Sequence, residues 1–346
     1  MSGTQFSPDT VTLDEIRRLL GELPGPDQAA SAAASEREPR LTKPAGALGR
    51  LEELAHWMAT WQGHHPPTLN RPRTVVFAGN HGVAARGVSA FPSDVTAQMV
   101  KNFIDGGAAV NQLCRVFDAD LRVYEMSLEQ PTKDFTEEPA MDTEECARAI
   151  AYGMMAVEER IDVMCVGEMG IGNSTSAAAL CQALWGGAAT EWTGPGTGVS
   201  GDAYKRKVET VAAGVERHAD RKGDPLAILA ALGGLELAAI VGTIIACRLA
   251  HTPVMLDGFA CTAAASVLHA MDQSALDHCV VAHCSAEPGH TKLLDLIGKK
   301  PLFDLGMRLG EASGATLALG MLKAAVACHS DMATFDAAGV SGRDEG

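Results

Sequence analysis

The chain has 346 residues, a formal charge of −15, 36 glycines and only 5% aromatic residues, a globular composition with room for two domains at about 150 residues each. That charge excludes general nucleic-acid binding and docking on anionic membranes, which both need a positive surface. It does not exclude small anions, which backbone N–H groups can hold. In chain order, residues 10–22 predict an amphipathic helix, 24–40 a polar, mobile connector, 48–61 a second helix and 66–72 a proline-rich break. Five apolar or β-branched runs follow as strands, at 74–78, 121–126, 161–166, 253–256 and 279–282. Helical patterns separate them at 142–159, 174–185, 235–249 and 261–271, and 301–328 reads as helix again. This alternation predicts an α/β fold, a mainly parallel sheet with helices on both faces. Residues 1–20 lack the basic start and apolar run of a secretory signal. The most apolar stretch, 226–246, is broken by Glu236 and three glycines and reads as a buried helix pair rather than a membrane span. Nine scattered cysteines without a CxxC pair suit a reducing cytoplasm.

Four strands run into loops that carry glycine and polar groups. These are Gly79-Asn80-His81-Gly82, the run from Gly167 to Thr175 (GEMGIGNST), Asp257-Gly258, and the run from His283 to Gly289 (HCSAEPG). In an open α/β sheet such strand ends line the ligand crevice. One such loop is a turn; four on one edge point to a site. Ser174 and Thr175 stand at the N-cap of an Ala-rich helix, whose free N–H groups and positive dipole end suit a phosphate. A lone glycine-rich loop is more often a plain strand–turn–helix corner, and 193–198 (TGPGTG) carries the same ambiguity. Two together favour phosphate. Neither matches GxxxxGK[ST], and neither opens a helix as GxGxxG with an acidic residue about 20 positions on. A P-loop nucleotidase and a nicotinamide-dependent oxidoreductase are therefore disfavoured.

Glu168 sits among apolar and glycine residues, where burial would raise a carboxyl's pKa and make it a competent base. Glu311, within GMRLGEASG (306–314), fits that role or a surface helix position paired to Arg308; composition and spacing leave both open. His278, Cys279, His283, Cys284 and His290 cluster within thirteen positions but match no zinc spacing, so they are read as buried structural residues and no metal is assigned.

Seven segments carry a resemblance. LTKPAGALGRLEELA (41–55), the run from FAGNHGV to VNQL (77–113), GEMGIGNSTSAAA (167–179), LGGLELAAIVG (232–242), PVMLDGF (253–259), SAEPGH (285–290) and LGMRLGEASGA (305–315) resemble, in order and over nearly the whole chain, the nicotinate-nucleotide–dimethylbenzimidazole phosphoribosyltransferases. The resemblance implies a pentosyltransferase of cobalamin assembly. Such an enzyme moves the phosphoribosyl group of nicotinate mononucleotide to 5,6-dimethylbenzimidazole, giving α-ribazole 5′-phosphate and nicotinate. It also implies a Rossmann-like domain over 66–300, a small helical domain from 1–65 with 301–346, and a homodimer whose small domain reaches toward the partner's site. Carried over by motif, Glu311 is the general base and Glu168 the second acid. Gly170, Gly172, Asn173, Ser174, Thr175, Gly196, Lys207 and Ser285 hold the nucleotide phosphate. His81, Phe91, Gln98, Met99 and Leu309 form the acceptor pocket.

The substrates are two small molecules. No cofactor is implied, and the acidic motif of phosphoribosyl-pyrophosphate transferases is missing, so activity without a metal is expected. Three positions depart from the family pattern: Asn80 where Asp is common before HGV, Pro195 in the GxGTG loop, and Ser200-Gly201 in place of an acidic pair. They leave both glutamates untouched and bear on acceptor identity, whether another azole, a purine or a phenol. A non-catalytic nucleotide-binding homologue is the remaining alternative, and the presence of both glutamates speaks against it.

Overall fold

Short apolar runs form five parallel strands, β1 (Pro72–Ala78), β2 (Asp120–Glu125), β3 (Val163–Met169), β4 (Val254–Leu256) and β5 (Cys279–Val281), in the sheet order β2-β1-β3-β4-β5. The structure, a computed structural model, describes residues 11–341. Every residue of β1 is buried, whereas the edge strand β2 alternates between exposed and half-buried positions. Parallel strands covered on both faces read as continuous apolar runs for this reason. β3 runs three residues beyond its predicted end, because Gly167, Glu168 and Met169 still pair with Val76, Phe77 and Ala78. Glu168 is thus a strand residue, held by the ladder and not by a loop.

Before β1 lie α1 (Leu13–Leu20), α2 (Gln28–Arg37) and α3 (Arg50–Gln62); α4 (Asp94–Ile104) and α5 (Ala109–Phe117) connect β1 to β2. Then follow α6 (Thr143–Met154), α7 (Asn173–Trp185), α8 (Ala189–Trp192), α9 (Gly201–Arg217), α10 (Pro225–Leu232) and α11 (Leu235–Leu249). The chain ends with α12 (Phe259–Met271), α13 (Pro288–Leu296), α14 (Ser313–Asp331) and α15 (Phe335–Ala338). Strand alternation sorts the core into two layers. Val75, Phe77, Met164 and Val166 face α6, α7, α11 and α12. On the opposite face Val163, Cys165 and Met255 meet Leu54 and Met58 of α3 and Ala315, Leu319 and Leu322 of α14, while Val76 meets Phe103 and Val110 of α4 and α5. Helix α3, from before the first strand, and helix α14, from after the last, therefore share one sheet face. The apolar stretch at 226–246 is the buried pair α10 and α11, and no helix among the described residues is long and apolar enough to cross a membrane.

Two expectations fail. The segment 24–40 is not a mobile connector, because Asp27 accepts the Ala30 N–H (2.8 Å) and starts α2 in an alanine-rich run, the best helix-forming composition. Conversely, 301–312 is not helical. Its backbone is satisfied by the 281–286 segment instead: Leu302 N–H donates to Ala282 O (3.0 Å), while Cys284 and Ala286 donate to Phe303 O (2.9 Å) and Met307 O (3.0 Å).

Candidate active site

All five strands point their carboxyl ends to one edge, and the loops after β3, β4 and β5 enclose a cleft of about 260 Å³ there. Glu168, Asn173 and Ser174 come from the third strand and its turn, Gly258 and Phe259 from the fourth, and His283, Ser285 and Glu287 from the fifth. Gly196 and Thr197 close one side; Phe91, Arg308, Leu309 and Gly310 form the lip.

Carboxyl groups crowd the floor. The Glu168 carboxyl is surrounded by protein and opens only onto the cleft. That enclosure, with Asp257, Glu236 and Glu311 nearby, pushes it up to about 8 against the hydrogen bond that Asn173 Nδ2 donates to its Oε2. Glu311 is 5% exposed and does not pair with Arg308, whose Nη1 donates to Gly196 O (2.8 Å). Burial lifts Glu311 to about 7. It is brought to the floor by an unusual backbone: Gly310, Glu311 and Ala312 have φ of 81°, 60° and 56° in succession. A left-handed non-glycine residue costs about 1–2 kcal/mol, so this arch must be held from outside. Glu311 N–H donates to Glu168 O (3.1 Å), and Asp257, itself raised by burial to about 7, accepts the Ala315 N–H (2.9 Å) on Oδ1. A side chain at Gly167 would collide with the Ala312 backbone, so glycine there lets the arch lie directly on β3.

The opposite wall is cationic. Lys207 Nζ, 1% exposed, donates to Ser174 Oγ (2.9 Å) and Gly194 O (3.0 Å), which leaves one of its three N–H groups free. Burial lowers it to about 8. In the turn before α7, Asn173 and Thr175 spend their N–H groups on Gly170 O (3.1 Å) and Gly172 O (3.0 Å). Gly172 (φ 99°) is the N-cap, two positions before Ser174, the first of the predicted cap residues, and the Thr175 side chain is buried. Anion-binding capacity on this wall therefore rests on Ser174 and Lys207 more than on the first-turn amides.

Comparison with known proteins shows the family. A family model described as phosphoribosyltransferase matches residues 23–340. The nicotinate-nucleotide–dimethylbenzimidazole phosphoribosyltransferase of Sinorhizobium medicae is 53% identical over 338 residues, covering 98% of this chain and 100% of that protein. Its counterpart from Rhizobium etli is 54% identical over the same shares of both chains. The chain belongs to this transferase family. The crystal structure of the Thermus thermophilus nicotinate-nucleotide–dimethylbenzimidazole phosphoribosyltransferase superposes with a TM-score of 0.84 at 40% identity, over 92% of this chain and 100% of that one.

Of the residues singled out by resemblance to the transferase family, the cleft walls gather Glu168, Gly170, Asn173, Ser174, Gly196, Ser285, Phe91 and Leu309. Glu311 and Lys207 sit directly behind them. His81, Gln98, Met99, Gly172 and Thr175 do not line the cleft. His81 is 2% exposed and lies behind the 170–172 turn, joined to Glu236 Oε1 (2.7 Å) and Ser176 Oγ (3.0 Å). Gln98 points to solvent from α4, and Met99 packs on the sheet beside Met169 and Val123. Sequence reasoning missed Glu236, Asp257, His283 and Glu287 as parts of this region. Three of them stood in the polar strand-end loops, which was the available signal; Glu236, inside an apolar helix, gave only its solitary charge.

Histidines 278 and 290 have structural partners. His278 contacts Ile244 O (3.0 Å), and His290 Nδ1 accepts the Ser285 N–H (2.8 Å) while its Nε2 meets Thr262 Oγ1 (3.0 Å). Burial lowers both to about 3, so both rings are neutral.

Proposed function

We propose that the chain transfers the phosphoribosyl group of nicotinate mononucleotide to 5,6-dimethylbenzimidazole, yielding α-ribazole 5′-phosphate and nicotinate. The observation that carries the mechanism is Glu168 opening onto the cleft with Glu311 directly behind it, both carboxyls raised by burial, to about 8 and about 7. Both values lie near neutral pH, where a carboxyl can take or give a proton. Glu311 accepts the N–H proton of the benzimidazole as its other ring nitrogen attacks C1′. Glu168, raised to about 8, can donate a hydrogen bond in its protonated form. The C1′–N bond to the pyridinium breaks with its electron pair, so nicotinate leaves with a neutral ring nitrogen and needs no acid. Direct displacement inverts C1′, which turns a β-nucleotide into an α-riboside.

Ser174, Lys207 and Ser285 support the reading of the far wall as the phosphate end, with Phe91 and Leu309 against the flat acceptor. Such a pocket senses each methyl group by only about 1–3 kcal/mol, so related azoles are accepted as well. Phe91 and Leu309, 53% and 56% exposed, leave the lip open, which supports a homodimer whose second copy covers it. Nine free thiols support a reducing, cytoplasmic setting. The test is to incubate the protein with both substrates and follow nicotinate release by chromatography. Absence of release with dimethylbenzimidazole, alongside release with another base, would reassign the acceptor.

A further inference from the structure

One buried oxygen in the cleft has no use in the chemistry above. Glu287 is 6% exposed and lines the cleft as the N-cap residue of α13. Its backbone is fixed on both sides: the Glu287 N–H donates to Ser285 Oγ (3.3 Å), and Glu287 O accepts the His290 N–H (3.0 Å). Oε1 accepts the Gly196 N–H (2.9 Å), which ties the 194–196 loop to the fifth strand end. Oε2 has no partner. A side chain at Gly194 would press on this oxygen, so the loop keeps the space beside it clear.

A buried carboxylate oxygen left without a donor is costly, so a donor is expected from outside the protein. No described protein group donates to it: Lys207, close enough to feel the Glu287 charge, gives two of its N–H groups to Ser174 and Gly194 and keeps the third for the phosphate, Arg308 donates to Gly196 O, and Thr197 Oγ1 is taken up by Ser89 Oγ and the Ala90 N–H. In the substrates of the proposed reaction, the phosphate and the nicotinate carboxylate are acceptors, and the benzimidazole N–H belongs to the base. Only the two ribose hydroxyls remain. We infer that Glu287 is the ribose-binding residue of the site, its Oε2 accepting hydrogen bonds from the vicinal 2′- and 3′-hydroxyls of the donor nucleotide. The adjoining 194–196 loop and Lys207 take the 5′-phosphate, so one loop serves two edges of one furanose ring. This rests on the phosphoribosyl-donor reading and adds to it a preference for ribo- over deoxyribonucleotides.

The experiment compares nicotinate mononucleotide with its 2′-deoxy and 3′-deoxy analogues, by calorimetric binding and by turnover, in the native protein, Glu287→Gln and Glu287→Asp. The native protein binds the ribonucleotide on the order of 10–100-fold more tightly than the deoxy analogues, as expected for a hydrogen bond to a charged group. In both variants ribonucleotide binding falls toward the deoxy level and the preference shrinks to near unity, while affinity for inorganic phosphate, a monitor of the intact loop, is retained. Equal binding of the three nucleotides by the native protein overturns the assignment, as does an equal loss for all three in the variants. Discrimination in binding without any transfer to an azole would leave the subsite standing and remove the transferase reading instead.

Discussion

Replacing Glu311 by Gln tests the base assignment most directly. The substitution keeps size and hydrogen-bonding shape, and the arch that carries residue 311 is fastened through its backbone N–H to Glu168 O rather than through its side chain, so the fold is retained. With a pKa of about 7, Glu311 is half ionised at neutrality, and its basic form falls tenfold for each pH unit below that. Native kcat/KM for the acceptor therefore rises with unit slope up to about pH 7 and then levels. A positioned base contributes about 10²–10⁴-fold, which sets the expected loss in the Gln variant, together with loss of the acid limb. Stopped-time nicotinate release between pH 5.5 and 8.5, in buffers of constant ionic strength, reads both. Unchanged turnover with the same acid limb in Glu311→Gln would refute the assignment and move the base to Glu168, the carboxyl that opens onto the cleft.

Three further outcomes follow. Lys207→Met raises KM for the nucleotide on the order of 10–100-fold, by removing a charge-assisted contact to the phosphate, with little change in kcat; a pure kcat effect in steady-state kinetics would contradict the phosphate role. Gly167→Ala drives a methyl group into the Ala312 backbone, displaces the arch and lowers kcat/KM on the order of 10²-fold in a protein that still folds, as checked by circular dichroism. Stability falls as pH rises from 6.5 to 8, because folded Glu168, Asp257 and Glu311 hold protons that the unfolded chain has already lost near its ordinary carboxyl pKa values. The slope is about 1.4 kcal/mol per pH unit for each proton retained. Below 6.5 His278 and His290, neutral when folded, oppose it, since they gain protons only on unfolding, and toward pH 8 Lys207 partly offsets it, since it loses its proton only when folded. Urea midpoints measured at pH 6.5, 7.25 and 8 that rise with pH would contradict the burial of these acids.

Strands β1, β3 and β4 were legible because burial on both faces leaves an apolar run in the sequence, while the exposed edge strand β2 showed itself only by its alternating Leu121, Val123 and neighbouring apolar residues. The loops after them were legible for a related reason: glycine beside polar groups at four strand ends has no core to serve. What escaped depends on distant partners. The 301–312 segment has helix-like apolar spacing, but its hydrogen bonds go to residues 281–286, and nothing local records that. Helix α2 lacks an apolar stripe, burying only Ala30 and Ala34, so its composition resembled a linker. Glu311 was ambiguous because the side it presents is fixed by three consecutive left-handed residues. His81 stood in a ligand-like loop, yet a glutamate 155 positions away draws its ring into the interior.

Burial of the floor acids also answers how a chain at −15 can hold an anionic nucleotide. Glu168 lines the cleft and Glu236, Asp257 and Glu311 lie buried close behind it; fully ionised, the four would repel both the phosphate and the nicotinate carboxylate. Raising three of them to about 7 or 8 leaves part of that charge neutralised by protons near neutral pH. The cation that faces them, Lys207, is shifted the other way to about 8 and still keeps most of its charge there. The site can then be less negative than its residue list, while the exposed acids elsewhere set the net charge. The same protons tie chemistry to binding. A proton taken from the acceptor enters a cluster that already holds others, so raising the pH frees the base but also charges the floor against the donor. Donor affinity is therefore expected to weaken over the pH range in which the chemical step gains.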